Sequence, residues 1–540
     1  MATRHRIDNA LTNISTGDVE KYFSELSNII ENNSGTHDCK MISHDCNNTA
    51  VPVHGGQFTR FKLTDQAMDI VDMSKGYIMM KLEMDVQFDF DFSKVASTIN
   101  ADVDYYKQWY FIGFKSGAHI IEIYNVYSNG VLTACKQTKA RHEQAITYNS
   151  KAKEERVGRP GMYTTHEKVR EMSDCVCGAY IQAPKFAERT KIQTITFDVV
   201  IQVDDLLPFS AFEYFPRFMV GDLELELSAS LYQNMVFCPV PYTAALENDV
   251  NTITGTAASH YALIRGEKAY DMRFTQCGDY IWGPSPYKPS SVTSTDGGHM
   301  SANLTIKPSN LVIREAKSYI HGFNIKNEAK QNIMNMFSGK NLVIPAQWID
   351  HFTFSQLPTT NSIRTNIQTA LFNACQVILT FPNSANQLTV SRNPHLESIQ
   401  CQISDRIIPD KFFGTLDKAH AEMILANLNM DSLFSAPDEL IEALTKDRSV
   451  GATLKKIDDS DYMLVFNLER FGNGCFCDGI TDNPVPINFQ ANFMKGTQNP
   501  HYYSDNKLLQ HNVNLFVVSD AFWVFNGNGC QFVKDVATKF

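Results

Sequence analysis

The chain has 540 residues, which predicts more than one domain because single hydrophobic cores rarely grow past about 250–300 residues. Its hydrophobic fraction of 43% and aromatic fraction of 11% exclude a disordered chain. The net charge of −11 excludes a protein that coats nucleic acid through its own surface, since neutralising phosphates requires clustered Lys and Arg.

No part of the N-terminal region resembles a secretion signal. Residues 1–30 lack a central apolar run, and no stretch approaches the ~18 consecutive apolar residues of a membrane helix. We therefore expect synthesis in a reducing compartment of the cell, the cytoplasm or the nucleus. In that setting the 12 cysteines are expected to be mostly free, buried thiols.

Residues 1–52 predict an N-terminal arm made of one amphipathic helix and a polar loop. Ser15 marks the start of the helix. The apolar side chains that follow at helical spacing are Val19, Tyr22, Phe23, Leu26, Ile29 and Ile30. A helix of this kind needs a surface to cover, either its own domain or a neighbouring subunit.

The loop of this arm contains the triplet His-Asp-Cys twice, seven residues apart. His37, Cys39, His44 and Cys46 could together supply four zinc ligands. Cys₂His₂ sites hold their ligands farther apart and across a folded turn, so we favour a polar loop without metal.

Residues 53–243 are predicted to form the first β domain. From residue 80 to residue 92, apolar and polar side chains alternate without a break, which is typical of an antiparallel strand with one face on a core. Ser128-Asn129-Gly130, between two apolar runs, predicts a tight hairpin. The other elements predicted here are a helix near 140–148 and strands at 195–203 and 223–231.

A Pro-, Thr- and Asn-rich segment at 240–260 predicts the linker to a second β domain at residues 244–540. Its predicted strands are 303–324, 341–354, 375–381, 396–403, 461–469, 485–494 and 512–526, with helices near 326–337 and 417–446. The wide spacing of strands lacks the regular period of roughly 40–50 residues of a propeller. The sequence therefore predicts an all-β protein with two tandem jelly-roll β-sandwiches and long inserted loops.

Several residue pairs could carry chemistry, but we favour a structural interpretation for each. The Cys-x-Cys pairs at 175–177 and 475–477 put two thiols on one strand face, without a second pair at metal-site spacing. Asp204-Asp205 and the pair Asp102 and Asp104 could act as acid, base or metal carboxylates, yet acidic residues at strand ends usually serve turns and caps.

Two further motifs are incomplete. His166-Glu167 lacks the second histidine of a zinc-peptidase helix, and Lys340 is not preceded by a Gly-rich phosphate loop. The four tryptophans are expected to anchor cores or interfaces; they are Trp109, Trp282, Trp348 and Trp523. We therefore predict no catalytic residue, no cofactor and no metal site.

Four segments of the second half carry a family resemblance. They are 319–337 (beginning Tyr-Ile-His-Gly-Phe-Asn-Ile), 341–347 (Asn-Leu-Val-Ile-Pro-Ala-Gln), 381–394 (beginning Phe-Pro-Asn) and 399–410 (Ile-Gln-Cys-Gln-Ile-Ser-Asp-Arg-Ile-Ile-Pro-Asp). These segments resemble the second jelly roll of major capsid proteins encoded by Polintons (Mavericks) and adintoviruses, and residues 61–82 resemble the opening strands of the first. The similarity covers most of residues 58–530. Virophage capsid proteins and adenovirus-like hexons share the implied fold.

This resemblance implies a double jelly roll that forms homotrimers, the pseudo-hexagonal capsomers of an icosahedral shell. The expected partners are other copies of the chain, penton proteins and other minor capsid proteins, and the expected location is the virion of a DNA virus or virus-like mobile element. Two alternatives stay open, a tandem jelly-roll hydrolase of glycans or glycopeptides and a lectin-like binding protein. Both are usually secreted, which the N-terminal sequence does not favour.

Overall fold

The computed structural model consists mainly of antiparallel β-sheets, with a few short helices between strands. It describes residues 36–46, 53–54, 56–91, 109–159, 162–170, 172, 177–182, 184, 191–210, 212–229, 234–240, 274–277, 303–338, 342–355, 362–382, 389–391, 396–403, 406–408, 440, 461–469, 480–493, 512–526 and 529–534. In this part of the chain, no helix is long and apolar enough to cross a membrane.

The elements are numbered in chain order. The strands are β1 (Thr36–Asp45), β2 (Val53–His54), β3 (Phe58–Lys62), β4 (Ile70–Asp91), β5 (Trp109–Gly113), β6 (Ile121–Ser128), β7 (Val131–Gln137), β8 (Gly178–Gln182), β9 (Ile192–Gln202), β10 (Tyr214–Phe215), β11 (Leu223–Ala229), β12 (Val236–Pro239), β13 (Thr275–Gln276), β14 (Asn303–Ile325), β15 (Leu342–Ser355), β16 (Ser362–Thr380), β17 (Leu396–Ile403), β18 (Arg406–Ile408), β19 (Met463–Asn467), β20 (Ile480–Phe493), β21 (Asn512–Asn526) and β22 (Gly529–Val533). The helices are α1 (Ala140–Asn149), α2 (Lys153–Gly158), α3 (His166–Arg170), α4 (Arg217–Val220) and α5 (Asn327–Met336).

The long strands β4 and β14 form the centre of a six-stranded sheet. β4 pairs with β14 along one edge and with β9 and β10 along the other, while β14 also pairs with β1 and β2. The predicted alternation is confirmed from residue 80 to residue 89, where the apolar side chains of β4 are buried and the polar ones between them are not. The buried side chains are Met80, Leu82, Met84, Val86 and Phe88.

Two four-stranded sheets complete the first hydrophobic core, in the orders β3-β11-β6-β7 and β13-β12-β5-β8. The rings of Phe88 in β4 and Tyr110 in β5 lie 5.7 Å apart. The six-stranded sheet therefore faces the sheet that contains β5, as the two layers of a sandwich. The predicted hairpin is confirmed: Asn129 (φ 49°) and Gly130 (φ 78°) join β6 to β7 in the left-handed conformation that a two-residue turn requires.

The strands from β15 to β22, called the second half of the chain below, form one eight-stranded sheet in the order β15-β21-β16-β20-β17-β18, with β19 beside β16 and β22 beside β21. Most of its buried side chains form a separate second core. However, β15 and β21 contribute to both cores: Trp348 and Trp523 pack into the first, while Ile349 and Leu515 pack into the second. The two cores therefore share two continuous strands.

The all-β class with sandwiched sheets is confirmed, and so are the predicted helix near 140–148 and the helix near 326–337. The polar loop predicted after the N-terminal helix is wrong in part, because residues Thr36–Asp45 form β1 and pair with β14. The sequence did not predict this strand because it lies at the edge of the six-stranded sheet, where its polar side chains face solvent. The predicted N-terminal helix lies outside the described residues, and so does the helix near 417–446 apart from Leu440, which is helical and buried.

The division into domains at residues 243 and 244 stays a prediction, and the linker at 240–260 lies almost wholly outside the described residues. β14 lies on the C-terminal side of that division. It nevertheless pairs with β4 along most of its length and contributes Ile313 and Ile320 to the first core.

A charge in the buried row of β4 should prevent folding of the first core. In Val86→Asp, an unpaired carboxylate replaces a side chain with no exposed surface. Burying it costs on the order of several kcal/mol, a large part of the ~5–15 kcal/mol that stabilises a typical domain. We expect loss of soluble, folded protein, measured by size-exclusion yield and circular dichroism. Gln87→Asp, on the opposite face of the same strand, is the control and should fold normally; equal yields would contradict the strand assignment.

Candidate functional site

Cys39, His44 and Cys46 of the repeated His-Asp-Cys triplets do not face a common point, and the side chain of His37 lies outside the described residues. On β1, Cys39 is exposed, whereas His44 lies on the opposite face and its Nε2 is 2.8 Å from Asp65 Oδ2. Cys46 is buried just after the strand, and burial, with a smaller contribution from Asp45, raises its pKa to about 12. Within the described residues, no three His, Cys, Asp or Glu side chains form a metal-binding group.

Asp204 and Asp205 form part of a structural ion cluster. Arg159 Nη2 lies 3.3 Å from Asp204 Oδ2, Lys151 Nζ lies 3.5 Å from Asp205 Oδ1, and the Tyr163 hydroxyl donates to Asp205 Oδ1 at 2.5 Å. Burial raises the pKa of Asp204, and the neighbouring carboxylate of Asp205 adds to the effect. Both carboxylates are therefore paired with cationic side chains of the chain itself.

The remaining candidates have structural partners or lie outside the described residues. Cys177 is buried and its thiol donates to the Met162 carbonyl at 3.3 Å. His166 begins α3 and stacks on Phe274, with ring centroids 4.4 Å apart. Trp348 and Trp523 are buried core anchors, as predicted. Those outside the described residues are Cys175, Cys475, Cys477, Asp102, Asp104, Lys340 and Trp282.

Three buried charged side chains meet between the two halves of the chain. Asp461, immediately before β19, forms ion pairs with Lys115, which follows β5, and with Arg156 of α2. Arg156 Nη1 donates to Asp461 Oδ2 at 2.9 Å, and Lys115 Nζ donates to Asp461 Oδ1. Each of the three side chains is only 1% exposed. This group, Lys115, Arg156 and Asp461, is called the buried triad below.

Aromatic rings and main-chain bonds hold the triad in place. Arg156 lies over the Tyr148 ring at 4.1 Å, and Lys115 lies 5.6 Å from the same ring, so part of the cationic charge faces π-electrons. The main chain of Asp461 forms a parallel β-bridge with Ser391. The Ser391 hydroxyl donates a hydrogen bond to the Tyr462 carbonyl at 2.6 Å. The carboxylate is therefore fixed by the second half and the two cations by the first.

His119 lies beside the triad and remains neutral. Its ring meets that of Tyr148 edge-on at 5.4 Å, and it is fully buried. Burial, with a smaller contribution from the positive charge of Lys115, lowers the pKa of His119 to about 3. A neutral imidazole accepts the Ser116 N–H at Nδ1, at 3.0 Å, so this histidine caps a turn.

Helix α1 makes the second polar contact between the halves. Gln137, the last residue of β7, and Lys139, just before the helix, donate to the carbonyls of Ile349 and His351 in β15, at 3.3 Å and 3.1 Å. On another face of the helix, Glu143 accepts the Tyr124 hydroxyl at 2.8 Å and the Leu207 N–H at 3.0 Å. Burial raises the pKa of Glu143 to about 7, against the lowering effect of these hydrogen bonds.

Sequence reasoning missed the buried triad. Lys115 and Arg156 are separated from Asp461 by 346 and 305 residues, and Arg156 and Asp461 stand in short charged runs that look like solvated surface. The only local signal is weak: Lys115 follows the apolar run of β5, where a strand-end charge is usually exposed.

Comparisons with known proteins give structural likeness without sequence similarity. No protein-family model matches the chain, and no curated protein sequence is similar to it. The mavirus major capsid protein is 9% identical with a TM-score of 0.49, covering 92% of this chain and 90% of that one. The Sputnik virophage structure is 10% identical with a TM-score of 0.44, covering 94% of this chain and 90% of that one. The Faustovirus major capsid protein is 9% identical with a TM-score of 0.40, covering 91% of each chain. At these TM-scores we base the fold on the sheets described above.

Removing the carboxylate of the triad should destabilise the whole chain. Asp461→Ala removes the carboxylate that pairs with two buried cations, and breaking a buried ion pair in this way costs roughly 3–5 kcal/mol. Asp89→Ala is the matched control, because Asp89 pairs with Lys307 on an exposed strand face, where such pairs contribute about 0–1 kcal/mol. Urea unfolding measures the loss of free energy of unfolding in both variants. Similar losses in the two variants would show that the triad does not stabilise the contact between halves.

Proposed function

We propose that this chain is the major capsid protein of a DNA virus or virus-like mobile element, and that it acts as a wall-building subunit without catalytic chemistry of its own. The observation that carries the proposal is that two β cores share the strands β15 and β21 and are fixed together by the buried triad. A subunit built this way is one block in which two β cores are held in a fixed relation. The sequence resemblance of residues 319–410 to double jelly-roll capsid proteins supports the same function.

A rigid two-part block suits a pseudo-hexagonal capsomer. Three copies of a chain with two similar jelly rolls present six wall segments around a threefold axis. Such a ring uses one heterologous interface that closes on itself, and obligate interfaces of this kind bury on the order of 2,000–5,000 Å². Any hinge between the two parts would change the angle between neighbouring segments, so the fixed contact between the cores is what the assembly requires.

Charge supports a place in the shell wall. The net charge of −11 does not suit a protein that condenses nucleic acid, because phosphate binding depends on clustered cations. We propose that the partners are copies of the same chain within and between capsomers, with penton and other minor capsid proteins closing the shell, and that the mature location is the virion.

The oligomeric state tests this proposal. We expect purified protein to show a mass of three times 60.9 kDa by multi-angle light scattering, and electron micrographs to show particles with a pseudo-hexagonal outline. A monomer that forms neither trimers nor shells over a wide concentration range would contradict the proposal. An assay against glycans and glycopeptides runs in parallel, because hydrolysis by a monomer would favour the enzyme alternative.

A further inference from the structure

Two histidines from the two halves of the chain lie ring against ring. His142 of α1 and His351 of β15 have centroids 3.7 Å apart with an angle of 31° between the rings. Phe516 of β21 packs against both, at 6.2 Å from His142 and 4.8 Å from His351. Both histidines are buried. This histidine pair lies beside the hydrogen bond from Lys139 to the His351 carbonyl, so it belongs to the contact that joins α1 to the second half.

The surroundings of the pair favour neutral rings. The charged groups that act on it are cationic: Lys139 and Arg141, from the α1 segment, affect both rings. From β15, the Thr353 hydroxyl pairs with His351 Nε2 at 3.0 Å. From β21, the Asn514 side chain favours the charged form of His351 and Phe516 offers only its ring. In the described part of the chain, Nδ1 of His142 has no hydrogen-bond partner.

We propose that the pair of His142 and His351 is a pH-sensitive contact, which holds α1 against the second half when both rings are neutral and releases it when they become protonated. Two imidazolium rings at 3.7 Å would repel each other, and each would also face Lys139 and Arg141. The proposal goes beyond the capsid function and does not depend on it.

The direction of the effect follows from the pKa values. Burial, and then the partner ring, lower the pKa of His142 to about 2, and burial lowers that of His351 to about 4. Both values lie below the ordinary value of 6.5, so below pH 6.5 the open form binds more protons than the closed form. Acid therefore favours opening. The contact is intact above pH 6.5 and weakens as the pH falls towards 4.

Glu143 opposes this effect and must be separated from it. It follows His142 in α1 but faces Tyr124, and its pKa of about 7 means that it takes up a proton in the closed form as the pH falls. Protonation of Glu143 therefore favours the closed form in acid. A comparison between wild type and histidine variants cancels this contribution, because Glu143 is present in all of them.

The test is hydrogen–deuterium exchange of full-length protein at pH 7 and pH 5, corrected for intrinsic exchange rates. In wild type, we expect faster opening at pH 5 in the peptides that cover α1 and β15. His142→Phe and His351→Phe keep an aromatic ring but cannot be charged. With a shift from 6.5 to about 4, each should reduce the acid-induced increase by roughly 20-fold. His321→Phe, a partly exposed histidine of β14, is the control and should behave as wild type.

A measurement on the wild-type protein decides the matter even where a variant fails to fold. Deuterium exchange at the imidazole C2 position, followed by mass spectrometry, reports the pKa of each histidine separately. The expected result is that both rings titrate below pH 5. Midpoints near 6.5 for both, or an acid-induced increase in α1 exchange that is the same in wild type and both phenylalanine variants, would overturn the proposal.

Discussion

The contact between the two halves depends on Asp461 keeping both of its cations. A carboxylate removed from water is tolerated only where opposite charge and hydrogen bonds replace its hydration, and Lys115 and Arg156 supply these from the other half of the chain. The hydrophobic effect has no preferred direction, so apolar packing alone would allow the two cores to shift relative to each other. An ion pair with both partners 1% exposed permits one arrangement only, because any displacement would leave charges unpaired. The triad therefore adds a directional constraint to the contact between the cores, while apolar packing supplies cohesion.

Shared strands extend this constraint over a longer distance. β15 and β21 pair with each other along fourteen successive positions, from Leu342 with Phe525 to Ser355 with Asn512. The first end of this ladder packs into one core and the other end into the second core. Bending between the cores would break ladder hydrogen bonds that lie away from water. Two independent devices, a ladder and a buried triad, thus resist the same motion, and a wall-forming subunit requires that resistance.

The sequence predicts those features of the fold that depend on neighbours in the chain. Alternation locates β4, β9 and β11, and the Asn129-Gly130 turn fixes the β6–β7 hairpin, because strand period and turn conformation are local properties. It does not predict β1, whose polar side chains look like those of a loop until β14 supplies a partner. Nor does it predict the triad or the histidine pair, since the ionic or stacked state of those side chains exists only after segments hundreds of residues apart have met.

Helix α1 shows why such a contact is made from polar residues. Nine of its ten residues are buried, although most are polar, and the cost of burying them is offset by specific partners such as Tyr124 and Leu207 on Glu143. An apolar helix in this position would bind as firmly at any pH, because burial of apolar surface does not involve protons. Helix α1 buries Glu143 and His142 side by side, and burial moves the pKa of each away from its ordinary value. The stability of the contact made by this helix therefore depends on pH. The same residues that make the joint between the cores specific therefore also make it sensitive to pH.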